Sequence, residues 1–150
     1  MKRIYLVAIL LIAAAQGFTQ VKEPVKWDYS SKKIDESTYE ISLTANVDPS
    51  WHIYSQTTPD GGPSATVISF TKNPMIQLDG PVKEVGKLEQ KHEELFGVDV
   101  KQFSNKVVFV QTVKMKTKAK TSITGTIEFM TCNNRECLPP KAQPFSVAIK

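Results

Sequence analysis

Apolar and polar residues alternate along most of this chain with a period of two. Val25, Trp27 and Tyr29 are interleaved with Lys26 and Asp28, and Tyr39, Ile41, Leu43 and Ala45 with polar partners. Successive side chains of an extended chain point to opposite faces, so this alternation predicts half-buried strands. Asp48-Pro49-Ser50 turns the chain, and Trp51 to Ser55 forms a short third strand. Thr57-Thr58-Pro59-Asp60-Gly61-Gly62-Pro63 is a strong turn signal. Ala65 to Phe70, Val107 to Lys116, Ser122 to Thr131 and Phe145 to Ile149 bring the set to about seven strands. Many short strands, frequent turns and no long helical pattern predict an all-β domain, and favour a sandwich over the barrel that the same pattern permits. Leu88 to Phe103 breaks the rhythm, being polar up to Glu94 and apolar at Leu95-Phe96-Gly97. A helical turn or a long loop fits this stretch equally well.

The first residues follow a different rule. Lys2 and Arg3 precede an apolar run from Ile4 to Ala15, and small residues follow in Ala13-Ala14-Ala15-Gln16-Gly17-Phe18-Thr19-Gln20. Residues 1–19 therefore read as a secretory signal, cleaved after Ala15 or after Thr19, with a single domain over residues 20–150. The run is short for a membrane span, and nothing later approaches the ~20 apolar residues that one needs, so stable membrane insertion is not expected. Removing Lys2 and Arg3 from the 19 basic residues leaves 17 against 15 acidic ones, a net charge of +2. That is too little for nucleic acid, whose binding needs a concentrated basic patch.

Export makes the cysteines the next question. There are two, in Cys132-Asn133-Asn134-Arg135-Glu136-Cys137-Leu138-Pro139-Pro140. An oxidising compartment favours a bond between them. Closing so small a ring contributes only about 2 kcal/mol in the chain-entropy account, the low end for a crosslink, which suits a bond made to be opened and closed. Strand phase puts Ile123, Gly125, Ile127 and Phe129 on the core side and Met130 and Cys132 on the outer side, so the pair is expected to be local and reachable. Pro139 and Pro140 lack an N–H and stiffen one side of the loop, where they cannot continue a ladder. Arg135 favours a neighbouring thiolate and Glu136 opposes it. The bland alternative is a static staple, as lone pairs in exported domains commonly are. A zinc site would have to join Cys-x4-Cys to His52 and His92. The spacing is loose and no second ligand pair appears, so neither a metal nor another cofactor is expected.

Two further features carry less. Lys114, Lys116, Lys118 and Lys120 recur at every second position and would line one side of an extended chain, either as edge protection or as a docking stripe for an acidic partner. Pro59-Asp60-Gly61-Gly62-Pro63 has no following helix and no Lys-Ser/Thr, so it is a turn and not a phosphate loop.

Ser122 to Pro140, with Trp51 to Phe70 and Glu93 to Phe103, resembles the N-terminal periplasmic domain of the thiol:disulfide interchange protein DsbD, most specifically at Cys137-x-Pro139-Pro140 and Leu95-Phe96-Gly97. The resemblance implies an immunoglobulin-like β-sandwich that exchanges disulfides without a cofactor, of protein-disulfide reductase type. It implies thioredoxin-like periplasmic partners that serve disulfide isomerisation and cytochrome c maturation. Cys132 and Cys137 match the redox pair, and Cys137 the cysteine that forms the mixed disulfide. Leu95 and Phe96 match the tip of a cap loop over that pair, Glu93 and Glu94 the acidic residues beside it, and Tyr54 a tyrosine packed near the cysteines. His52 stands where the family has an aromatic ring, and the cysteines are one residue closer together. The chain stops at Lys150, without the family's membrane and C-terminal thioredoxin-like domains, so a separate membrane electron donor is expected. The competing reading is a non-catalytic exported immunoglobulin-like binding module with a structural disulfide.

Overall fold

The computed structural model describes residues 22–149, and all of its regular structure is strand. The eight strands are β1 (Val25–Lys33), β2 (Thr38–Val47), β3 (His52–Tyr54), β4 (Val67–Phe70), β5 (Ile76–Glu93), β6 (Val98–Met115), β7 (Thr121–Cys132) and β8 (Cys137–Ile149). All pair antiparallel. The ladder runs β1-β2-β6-β3-β7-β4, with β5 also on β6 and β8 also on β7. This continuous sheet curls until its ends meet, where Ser31 Oγ donates to the Ala148 carbonyl at 2.8 Å. The result is an immunoglobulin-like β-sandwich, with β1, β2, β6 and β5 in one layer and β4, β7 and β8 in the other. The three-residue strand β3 bridges them, pairing β6 on one side and β7 on the other.

The period-two pattern explains the core. Ile41, Leu43 and Ala45 of β2, Val107, Phe109 and Val113 of β6, Ile123 and Ile127 of β7 and Phe145 of β8 meet between the layers. Each fully buried large aliphatic or aromatic side chain contributes about 1.5–3 kcal/mol. Trp27 joins the layers, its ring centroid 6.0 Å from Phe109 and 5.3 Å from Phe129.

Three expectations change. Leu88 to Phe103 is neither a helical turn nor a long loop. It is a β-hairpin, with Leu88 paired to Phe103 and Glu93 to Val98. Its tip closes through the N–H groups of Phe96 and Gly97 on the Glu93 carbonyl, and Gly97 takes a φ of +68° that favours glycine. Strand β5 was invisible in the pattern because register shifts at Asp79/Lys83 and Gly86/Leu88 reset the alternation twice. Strand β8, in turn, starts at Cys137 and not at Phe145. Pro139 and Pro140 sit in its register shift opposite Met130, between the Thr131–Leu138 and Phe129–Lys141 pairs. A bulge needs no ladder N–H from them. The lysine stripe also fails, because β6 ends at Met115 and residues 116–119 bend. Lys114 pairs with Asp79 at 2.9 Å, while Lys116, Lys118 and Lys120 line an open groove at the other end of β7 from the cysteines. The proposed signal lies outside the described residues.

Candidate functional site

Strands β7 and β8 form a hairpin whose tight turn is written into the sequence between the cysteines. The Asn133 side-chain carbonyl accepts the N–H groups of Arg135 at 2.8 Å and Glu136 at 2.9 Å, as asparagine does when it imitates a backbone turn. The Asn133 N–H reaches the Glu136 carbonyl at 2.9 Å, which makes 133 and 136 a hydrogen-bonded pair. The next pair, Cys132 and Cys137, is then of the close, non-hydrogen-bonded kind. Their Cα atoms lie 4.0 Å apart and their sulfurs are bonded. Within the ring, Glu136 is ion-paired with Lys22.

The two cysteines differ in burial. Cys137 is partly exposed, whereas Cys132 has no exposed surface. Strand phase holds, since Cys132 points away from the main core. The expectation that this face is open does not hold. Tyr54 and Val100 pack on Cys132 in a second small cluster, flanked by Val98, Met130 and Cys137. The cover comes from β3 and from the β5–β6 hairpin. Because that stretch was read as a helical turn or a long loop, and not as a hairpin, sequence reasoning missed Val98 and Val100. A hairpin register centred on the Gly97 turn would have put both on one face of a strand, and the pairing of β3 with β6 and β7 brings that face to the disulfide.

His52 is the direct cross-strand partner of Cys132 on one side and of Ser104 on the other. It lies on the same face of β3 as Tyr54, and the two rings meet edge to face with centroids 5.2 Å apart. The Tyr54 hydroxyl donates to Glu93 Oε2 at 2.9 Å and lies 3.0 Å from His52 Nε2. Glu93 Oε2 is also 3.3 Å from His52 Nε2. All three side chains are buried. Burial first, and then the bond to Glu93, push the Tyr54 phenol up, so it stays protonated. Burial pulls the His52 imidazole below its usual value, against the opposing pull of Glu93. Glu89, at the rim, accepts from Lys91 and Ser104 and is held below the usual carboxylate range chiefly by Lys91.

Of the residues singled out in the sequence, Cys132, Cys137, His52, Tyr54 and Glu93 come together. Glu94, Leu95 and Phe96 stand at the exposed tip of the β5–β6 hairpin, with Leu95 half exposed. Leu95 and Glu94 share the lining of an open cavity of about 510 Å³ with His52, Glu93 and Asn134 of the cysteine loop. Phe96 leans the other way, towards Gly62 in the loop between β3 and β4. His92, the second histidine, bonds Asp99 at 2.9 Å on the surface.

A local, directly paired disulfide with one sheltered and one accessible cysteine is an arrangement suited to exchange with another thiol. The family model described as the N-terminal region of the thiol:disulfide interchange protein DsbD matches residues 18–149. The chain belongs to that family. Among solved structures it is similar to the reduced DsbD N-terminal domain of Neisseria meningitidis, at 10% identity and a TM-score of 0.53. That match covers 83% of this chain and 85% of the other. It is also similar to the N-terminal periplasmic domain of ScsB from Proteus mirabilis, at 17% identity and a TM-score of 0.54. Here 86% of this chain is covered but 49% of the other, so this chain spans about half the length of that one. At such identities the likeness bears on the fold alone. No curated protein matches significantly. Membership in the DsbD N-terminal family, together with the Cys132–Cys137 pair, supports thiol–disulfide exchange.

Proposed function

We propose that this protein exchanges disulfides with thioredoxin-like partners in the bacterial periplasm, behind a cleavable export signal in residues 1–19 and as a single domain from residue 20. A separate membrane protein is the electron donor. The observation that carries this reading is the asymmetry of the pair, with Cys132 sealed and Cys137 partly exposed. A partner sulfur can approach Cys137 and cannot approach Cys132. In the reduced protein the Cys137 thiolate attacks a partner disulfide and releases one partner thiol. Cys132 then attacks Cys137 Sγ, and the electron pair of the broken mixed disulfide leaves on the second partner sulfur. The pair is oxidised to a disulfide and the partner is reduced to two thiols. Run backwards, the same steps reduce the pair. Val98, Val100 and Tyr54 wall the site, and the hairpin tip caps it, with Leu95 at the cavity and Phe96 against the Gly62 loop.

The test is covalent trapping. Cys132→Ser should accumulate mixed disulfides through Cys137 with thioredoxin-like proteins of the compartment. Trapping in Cys137→Ser alone would reverse the roles. The full burial of Cys132 also suits a structural staple, and a redox titration separates the two. A reduction potential below about −300 mV would mark a bond that cellular thiols do not open.

A further inference from the structure

A buried thiol becomes a nucleophile only if its proton has somewhere to go, because burial disfavours the charged thiolate. Cys132 is such a group, and of the two buried candidate bases near it, Glu93 and His52, the histidine lies directly across the ladder from it. His52 is its direct cross-strand partner, a relation that sets Cβ atoms about 4.5–5.5 Å apart on the same face. The histidine is 6% exposed, so it is built into the site and does not lie on the surface.

Its neighbours fix which nitrogen is free. The Tyr54 hydroxyl gives its one proton to Glu93 Oε2 and can then only accept from His52 Nε2. The proton of the neutral ring therefore sits on Nε2, and Nδ1 is left as the acceptor. Glu93 Oε2, 3.3 Å from Nε2, stabilises the cation that forms when Nδ1 takes a second proton. His52 also lines the cavity of about 510 Å³, through which that proton reaches water.

We propose that His52 is the proton acceptor for the Cys132 thiol when Cys132 resolves the mixed disulfide. The proposal rests on the exchange reading above. In the step, the Cys132 S–H proton passes to His52, the thiolate sulfur bonds Cys137 Sγ, and the Cys137–partner bond breaks with its electron pair on the partner sulfur. The groups that face His52 are Tyr54 on its own strand, Cys132 on β7, the uncharged Gln102 and Ser104 on β6, and Glu89, Lys91 and Glu93 on β5. His92 and Glu94 share the cavity wall. Burial holds the ring neutral to a lower pH than an ordinary histidine, with the carboxylates opposing and Lys91 assisting. A protonated ring cannot accept, so resolution should fail as pH drops through that depressed value and stay level around neutrality.

The experiment uses the reduced protein and one equivalent of 5,5′-dithiobis(2-nitrobenzoate), followed by stopped flow from about pH 5 to 9, a span that brackets the ordinary histidine and thiol values. The first thionitrobenzoate released reports attack by Cys137, and the second reports resolution by Cys132. His52→Gln should leave the first phase unchanged and slow the second about 10²-fold at neutral pH, the low end for a positioned base. Its profile should climb instead through the thiol range, about pH 8.5 and above. Tyr54→Phe keeps the ring and deletes the atom that pins Nε2–H, and should slow the second phase by a smaller factor. A second phase in His52→Gln within about threefold of wild type, set against that expected 10²-fold loss, would overturn the proposal. So would a wild-type second phase that climbs through the thiol range as that of His52→Gln should, a result that needs no variant. Absence of the first phase, in contrast, would overturn the exchange reading itself.

Discussion

Replacing Tyr54 by phenylalanine removes one oxygen atom from a place that water does not reach, and the consequence can be worked from its two partners. The hydroxyl donates to Glu93 Oε2 at 2.9 Å and accepts from His52 Nε2 at 3.0 Å, and all three side chains are buried. Each hydrogen bond is worth about 0.5–1.5 kcal/mol net, and one to a charged acceptor about 1.5–3. Glu93 keeps His52 within 3.3 Å, which offsets part of the loss. Tyr54→Phe should therefore cost about 2–3 kcal/mol. With a urea slope of about 2 kcal/mol/M, the unfolding midpoint of the disulfide-bonded protein should fall by about 1 M at pH 7. In a thermal scan the same loss lowers Tm by roughly 6–12 °C for a domain of this size. The cycle with Glu93→Gln isolates the contact, because neighbours in one network couple by about 0.5–3 kcal/mol. Additive single-variant effects, or a midpoint shift below about 0.2 M, would refute the claim that these groups act as one buried network.

Two other predictions test the cap and the sandwich. Phe96→Ala should speed alkylation of the reduced pair by a bulky maleimide; unchanged labelling would leave shielding to Val98 and Val100 and make Phe96 a loop anchor. Gly125→Ala should destabilise the domain by about 1–3 kcal/mol or more, read as a lower Tm, because its Cβ would lie 2.2 Å from the Ser69 carbonyl oxygen and 2.6 Å from Phe145 Cζ. The Ser69 oxygen belongs to the β4 backbone and cannot rotate away, so an unchanged Tm would show that the β4–β7 pairing at Phe70 and Gly125 is looser than described.

Where a strand buries one face and wets the other, its position could be read directly. Tyr39, Ile41, Leu43 and Ala45 were placed on the core side by alternation alone, and the layers meet there. The β5–β6 hairpin was illegible for the opposite reason. Strand β5 is mostly exposed and resets its phase at two bulges, so no period survives for a reader of the sequence. That one omission carried into the site. The phase of β7 correctly turned Cys132 away from the main core, but the missing hairpin left its face uncovered, and Val98 and Val100 had no place beside it.

Local order along the chain was enough to predict an all-β domain and a local Cys132–Cys137 pair, because each depends on residues a few positions apart, whereas the hairpin that joins the cysteines came with the pairing of β7 to β8. Burial of one sulfur and exposure of the other depended on Val98 and Val100, at the start of β6, and on Tyr54 of β3, all distant in the chain, packing over the end of β7. The joining of His52, Tyr54 and Glu93 likewise needed β3 and β5 to arrive on opposite sides of β6. Alternation sets which way a side chain points. What it meets there is settled by strands distant in sequence, and that decided which cysteine a partner can touch.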